Sequence, residues 1–313
     1  MGYGRGRFDG GAFNRRFIMS NGRSRMHGGK NLERLRPEGP ADPEVQTVWF
    51  EETDGRPLAV MLNYAAHPSN LYGKPLMSAD YPGVARAILQ GVLGKDVPVV
   101  FLQGCCGNVM CDNLENPHRT SGMATALRVG RAVAGETLRI MGDTADRKGR
   151  IRLATSNRIL HIPYREPPLP VEEALAQLDA HRRNWPAFTA LDIEERVALL
   201  TTLRIAGYLQ TAPSEPAEIA AVALDDVMLV TNQAELFVEY QLDIKARFKD
   251  HKIMVAELTN GRIGYVPTRL AYALGGYETI ETRFNPDAGE HIREASCSLI
   301  ERLIGNERHV RGN

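Results

Sequence analysis

Little in this sequence is extreme, and each shortfall removes a class of protein. Excess charge is missing: 38 Lys and Arg match 38 Asp and Glu, so no electrostatic footprint for a nucleic-acid partner is present. No apolar run is long enough to span a bilayer. No apolar leader follows Met1, and the chain as written reads as cytoplasmic, with a signal upstream of Met1 left open. Cysteine is scarce. Cys105, Cys106, Cys111 and Cys297 fit neither a disulfide framework nor a zinc ribbon, and free, partly buried thiols in a reducing compartment are expected. Repeats, heptads and low-complexity tracts are absent too.

What remains is ordinary globular material. With 43% apolar and 24% charged residues over 313 positions, one large α/β domain can be built. The first thirty residues are basic and glycine-rich, yet Phe8, Phe13, Phe17 and Ile18 mark them as part of a fold rather than a tail.

Periodicity and turn chemistry predict the elements. Gln46–Glu51 reads as a strand, with Asp54-Gly55 turning it into a second strand from Pro57 to Leu62. Asp80 is the expected N-cap of a helix reaching about Leu93. Val97–Leu102 is a short continuous apolar run, as in a strand buried on both faces. Thr120 or Ser121 is expected to cap a helix ending near Ile140. Arg150–Pro163 reads as extended. Residues 171–209 read as an inserted αα-hairpin of two amphipathic helices. Ala217–Leu224 and Val227–Val230 form a predicted hairpin about Asp225-Asp226. A helix from about Asn232 to Phe248 follows, then strands Lys252–Leu258 and Ile263–Val266 around Asn260-Gly261, and a closing helix opened by Pro286. Early alternation of strands and helices with late hairpins predicts a single α/β (α+β) domain over 1–313, a layered mixed sheet with flanking helices.

Four places carry polar groups suited to chemistry. His67 ends the strand from Pro57, and Pro68 stops the pairing there. The carboxyl end of a strand in an α/β sheet is where ligands gather, although a lone histidine is more often a satisfied core or loop residue. The glycine-punctuated loop Gln103–Asn108 follows a buried strand and could bring backbone N–H groups to a ligand or oxyanion, or be a plain tight turn. Glu235 follows the Val227–Val230 strand, and locally Asn232…Glu235 has capping-box spacing. Tyr265 sits in a strand, where packing is the ordinary role. A cysteine nucleophile at Cys105, Cys106 or Cys111 has no activating base nearby in sequence apart from His118.

As an ordered set, several segments resemble the N-terminal catalytic domain of the neutral/alkaline (non-lysosomal) ceramidases and their bacterial relatives. They are Gly4-Arg5-Gly6 with Asn14-Arg15-Arg16, Pro37-Glu38-Gly39-Pro40 with Asp42-Pro43-Glu44-Val45, Asn63-Tyr64-Ala65-Ala66-His67-Pro68, Ser78-Ala79-Asp80-Tyr81-Pro82-Gly83, and Phe101-Leu102-Gln103-Gly104 through Gly107-Asn108. Glu235, Gly264-Tyr265-Val266-Pro267-Thr268 and Gly276-Tyr277-Glu278 complete it. The resemblance implies a zinc amide (or ester) hydrolase in which metal-activated water attacks a small-molecule or lipid-like substrate. It implies Zn2+ held by two histidines, a glutamate and a tyrosine, with His67 matching the second histidine, Glu235 the carboxylate and Tyr265 the phenol. Arg15 and Tyr277 match residues that line the site and hold the scissile amide or its oxyanion, and Asn108 is counted with them.

The chain departs from that pattern at three points. It begins after the segment that holds the first histidine ligand, which leaves His27 or a partner to substitute. Met110 stands where ceramidases carry a serine. The C-terminal immunoglobulin-like domain is also missing. A fold-retaining chain with an incomplete site, and a cysteine hydrolase using Cys105 or Cys106, are the competing readings. Self-association is left open.

Overall fold

The strand from Glu44 to Glu51 shows why the sheets form as they do. Its side chains alternate: Val45 and Trp49 pack toward helices, while Val48 and Phe50 pack toward a second sheet. Such two-sided burial requires cover on both faces. The computed structural model, which describes residues 1–28, 32–144, 147–182 and 184–311, supplies that cover as four layers.

One sheet runs Gly2–Arg7, Glu44–Glu51, Pro57–Tyr64, Val99–Gln103 in spatial order. The first two junctions are antiparallel and the last is parallel. The other runs Leu153–Pro163, Ser214–Leu224, Val227–Thr231, Lys252–Ala256, again with only its last junction parallel. The mixed α/β architecture expected from sequence is present, its strands divided between these two four-stranded sheets and three smaller ones. Their inner faces meet through Val48, Met61 and Leu102 on one side and Leu224, Leu229 and Met254 on the other. Two amides cross the seam, Gln46 Nε2 donating to Ile253 O at 2.8 Å and Asn63 Nδ2 to Val255 O at 3.0 Å. Helices Asp80–Leu93 and Met123–Asp143 cover the first sheet. Helices Val238–Arg247 and Ala288–Arg311 cover the second, with Ile292, Ala295 and Leu299 inward as expected.

The insertion is present as Val171–Arg182 and Ile193–Leu209, with a short helix, Trp185–Ala190, between them. Asp192 and Glu195 close a capping box at the start of the second long helix.

Several local expectations give way to tertiary demands. Asp80 is not an N-cap. It is the first helical residue, held at φ 51°, and its carboxylate accepts from Asn70 Nδ2 at 2.6 Å and Leu71 N at 3.1 Å. It therefore fastens the loop that follows His67, at the cost of a left-handed backbone. Neither Thr120 nor Ser121 caps the next helix, whose N-cap is Gly122. The strands about Asn260-Gly261 are not a hairpin. Lys252–Ala256 pairs with Val227–Thr231, and Gly264–Val266 pairs with Ala234–Leu236.

A buried ion pair pins the second sheet's helix to the first sheet. Lys245 Nζ lies 2.7 Å from Asp42 Oδ2 and 2.8 Å from Glu44 Oε1, and Gln241 Nε2 adds 2.6 Å to the same Asp42 oxygen. Burial opposes charge on Asp42, but Lys245 prevails and holds the carboxyl below its ordinary value. A depressed carboxyl stabilises fully above its unfolded pKa, about 3.9, and the contribution drains as pH falls through the folded value. Asp42→Asn is expected to lower Tm at pH 7 and to flatten the loss of stability below about pH 4. An unchanged acid limb in thermal scans from pH 3 to 7 would sink this assignment.

Candidate active site

Both parallel junctions end at the same edge of the sandwich, where Glu257 N donates to Gln103 O at 2.8 Å. The residues singled out by sequence arrive at this edge from three separate segments.

His67 follows the Pro57–Tyr64 strand by two alanines, and its backbone N–H donates to Val109 O at 3.0 Å. Its Nδ1 faces two carbonyls, Cys106 O at 2.5 Å and Val109 O at 3.1 Å. Carbonyls only accept, so Nδ1 carries the hydrogen and Nε2 is the nitrogen turned to the site. Nε2 lies 3.3 Å from Glu235 Oε2 and 3.4 Å from Tyr265 OH.

Glu235 is not in a helix. Asn232 Oδ1 accepts from Ala234 N in a local turn, the chain forms the short strand Ala234–Leu236, and the helix starts only at Val238. The capping-box reading of Asn232…Glu235 is therefore overturned. That strand pairs in parallel with Gly264–Val266, with Glu235 directly opposite Tyr265. Register partners in a parallel ladder project to the same face. This pairing is what places carboxylate and phenol side by side.

The electrostatics around the cluster are layered. Arg262 clamps Glu235 Oε1 at 3.0 and 2.7 Å, leaving Oε2 for His67. Burial works to raise the Glu235 carboxyl, but the hydrogen bond and charge of His67, aided by Arg262, bring it down to about 2. Tyr265 is pushed the other way, its phenol raised chiefly by burial against the pull of Arg15. Arg15 Nη2 donates to Tyr265 OH at 3.1 Å, and Arg15 Nε pairs with Glu278 Oε1 at 2.8 Å. Glu278 is wholly buried and also receives Arg16 Nη1 at 2.6 Å. Against burial, the two guanidinium groups hold its carboxyl low. The Tyr277 ring meets the Tyr265 ring edge-on at 5.8 Å, and burial with Glu281 lifts its phenol to about 12, so it remains an O–H donor.

Other sequence-predicted groups are placed elsewhere. Asn108 turns away from the cluster: its Oδ1 accepts from Val238 N at 3.0 Å and its Nδ2 donates to Glu239 at 2.8 Å. Its role is to start a helix, which corrects its assignment as catalytic. The glycine loop offers no oxyanion donors at Gly104 or Gly107, because Gly104 N donates to Tyr64 O and Gly107 N to Leu236 O. Gly107 serves close approach instead, since a Cβ there would stand 2.5 Å from Glu235 O. Cys105, Cys106 and Cys111 are all buried, and burial raises each thiol, Cys111 to about 12 and the other two well above their ordinary value. Burial and raised thiols both weigh against thiolate chemistry in this loop. His118 lies in the exposed stretch 115–119. His27 does not join the cluster. It lines a neighbouring cavity with Met110, and its backbone N–H donates to Arg15 O at 2.7 Å.

Three site residues escaped local sequence reasoning: Arg262, Glu278 and Glu257. Glu278 stood next to Tyr277 in a quoted segment, but nothing local says that a glutamate will be buried between two arginines. Glu257 is fully buried, its carboxyl raised well above the usual range by burial. It accepts from Leu236 N at 2.8 Å and from Cys106 Sγ at 3.0 Å.

The chemistry of the donors can be tested against zinc. With Nδ1 donating, a neutral His67 turns a bare lone pair toward a carboxylate 3.3 Å away, an arrangement that needs a proton or a cation between them. Zinc bonds of about 2.0–2.2 Å in a tetrahedron set neighbouring donors about 3.3–3.6 Å apart, and the separations here are 3.3 and 3.4 Å. Among the described residues no three His, Cys, Asp or Glu side chains converge as a ligand set; the third donor here is a phenol. His67, Glu235 and Tyr265 therefore fit the ion as three donors.

No family model and no curated protein matches the chain. Solved structures do. A ceramidase complexed with C2 superposes with a TM-score of 0.66 at 15% identity, over 96% of this chain and 53% of that one. The neutral ceramidase of Pseudomonas aeruginosa gives 0.61 at 16%, over 96% and 52%. At that identity the likeness is one of fold: this chain is a mixed α/β protein with the architecture of the neutral ceramidases. It spans about half the length of those structures.

Glu278→Gln is expected to destabilise the chain by about 3–5 kcal/mol, because it strips two buried guanidinium groups of their shared carboxylate. Urea denaturation measures this, and a loss under about 1 kcal/mol would show that water already solvates the pair.

Proposed function

We propose that the chain is a zinc-dependent amide hydrolase, with His67, Glu235 and Tyr265 as the metal-holding residues. What carries the reading is the approach of Glu235 Oε2 and Tyr265 OH to His67 Nε2, at 3.3 and 3.4 Å, at the carboxyl edge of this fold. The zinc, when held there, supplies a Lewis acid that polarises a carbonyl and acidifies water.

The chain's own groups have separable tasks. Arg262 fixes the far oxygen of Glu235, so that Oε2 keeps one orientation. Cys106 O and Val109 O fix the His67 ring and its tautomer. Arg15, anchored by Glu278, keeps a cation beside Tyr265 OH, where it can stabilise negative charge growing on the carbonyl oxygen. Tyr277 remains protonated at neutral pH and can donate its O–H to the bound amide.

The purified chain is expected to take up one zinc ion per molecule, with a rise in Tm on loading. His67→Ala should abolish both. Amide hydrolysis should be lost on chelation and restored by zinc. Arg15→Lys should keep the metal but lose about 10²–10³-fold in kcat. If zinc neither binds nor raises Tm, the metalloenzyme reading fails for this chain and a fold-retaining, non-catalytic protein takes its place.

A further inference from the structure

A cavity of about 400 Å³ lies beside the cluster, lined by His27, Arg34, Met110, Asp112, Leu114 and Arg119. Its walls belong to the segments that carry the candidate site. Met110 forms a bridge with His67 and pairs with Phe13, and His27 N donates to Arg15 O. A substrate with its carbonyl at His67 thus has this cavity as a neighbouring compartment.

The lining carries two arginines against a single carboxylate, while burial and the nearby Arg15 disfavour charge on His27. Arg119 Nε reaches Asp112 Oδ2 at 3.3 Å. Arg34 donates to Leu114 O at 3.2 Å and lies over the Phe17 ring at 5.2 Å. The ring and the carbonyl hold the guanidinium plane, and its fork has further N–H groups to offer. The compartment thus asks for an anion.

We propose that this cavity receives the amine-side head group of the substrate, and that this group carries a carboxylate. The substrate class is then N-acyl amino acids, whose carboxylate meets Arg34 and Arg119. A neutral amino-alcohol head group would leave Arg34 facing a carbonyl and a ring alone, and Arg119 with Asp112 as its one anion. Amino-acid head groups suit a compartment of this size. The proposal rests on the amide-hydrolase reading for the cut itself, but the binding preference can be measured without any turnover.

The test uses the full zinc-loaded chain and two matched probes, N-hexanoylglycine and the neutral N-hexanoylethanolamine, titrated by calorimetry. The glycine conjugate is expected to bind at least about tenfold tighter, by about 1.4 kcal/mol, with the margin shrinking as salt is raised. The exposed pair Arg34→Gln with Arg119→Gln should erase the margin while leaving Tm and the neutral probe's affinity unchanged. Equal binding of the two probes, binding of neither, or a margin that survives the double substitution overturns the proposal. Hydrolysis of both probes separates the two levels. Arginine-dependent binding without cleavage overturns the hydrolase reading alone; cleavage of the neutral amide with no preference for the anionic one overturns this inference alone.

Discussion

One buried carboxyl group holds the site together. Glu257 follows the last strand of the second sheet, and its N–H donates to Gln103 at the end of the first. Its side chain accepts from Leu236 N and from the Cys106 thiol. Leu236 is next to Glu235, and the Cys106 carbonyl fixes the His67 ring. Glu235 and His67, drawn from different parts of the chain, thus answer to a single buried side chain. Among the described residues it is held by hydrogen bonds rather than by an ion pair, and burial raises its carboxyl well above the ordinary range. The seam amides of Gln46 and Asn63 do the same work further in, fixing one sheet against the other.

From that frame outward, charge alternates. Arg262 meets Glu235, Glu235 meets His67, Arg15 stands at Tyr265, and Glu278 joins Arg15 to Arg16, which ends on Glu38. Each cation has an anion on its inner side, so no step into the interior leaves an unpaired charge, the arrangement that would be most costly. The same alternation preorganises the site. Arg15 cannot swing away from Tyr265 without abandoning Glu278, so its charge is in place before any substrate arrives.

The sequence showed some of this and hid the rest for definable reasons. Strands with strong signals appear where expected, because alternation and the turns Asp54-Gly55 and Asp225-Asp226 are local properties. How the strands divide between the two main sheets was not visible, since the inward residues of both look alike as apolar runs. Asn232…Glu235 read as a helix start because capping spacing is local, whereas the strand that forms there is imposed by Gly264–Val266, some thirty residues on. Asn108 and the loop glycines looked like ligand-facing groups because their real partners, Val238, Leu236 and Tyr64, are distant in sequence. His67, Glu235 and Tyr265 stood out at strand ends and turns, and an ordered resemblance, not periodicity, suggested roles for them and for Arg15 and Tyr277. Glu257 and Arg262 had no local signature at all.

The direction of the His67 proton is what makes the cluster more than a polar contact. Had Nδ1 faced a donor, Nε2 could have carried the hydrogen and satisfied Glu235 in an ordinary neutral pair. Two carbonyls instead place a hydrogen on Nδ1, so Nε2 can meet Glu235 only with a second proton, as an imidazolium, or with a cation between them. Folding therefore pre-sets an arrangement that is relieved only by positive charge between His67 and Glu235. On the proposed reading that charge is the metal. Since the donors come from the first sheet's edge and from a strand pair beyond the second sheet, holding the ion would also lock the two halves of the sandwich together. Stability and activity would then share one ligand, each rising with its occupancy.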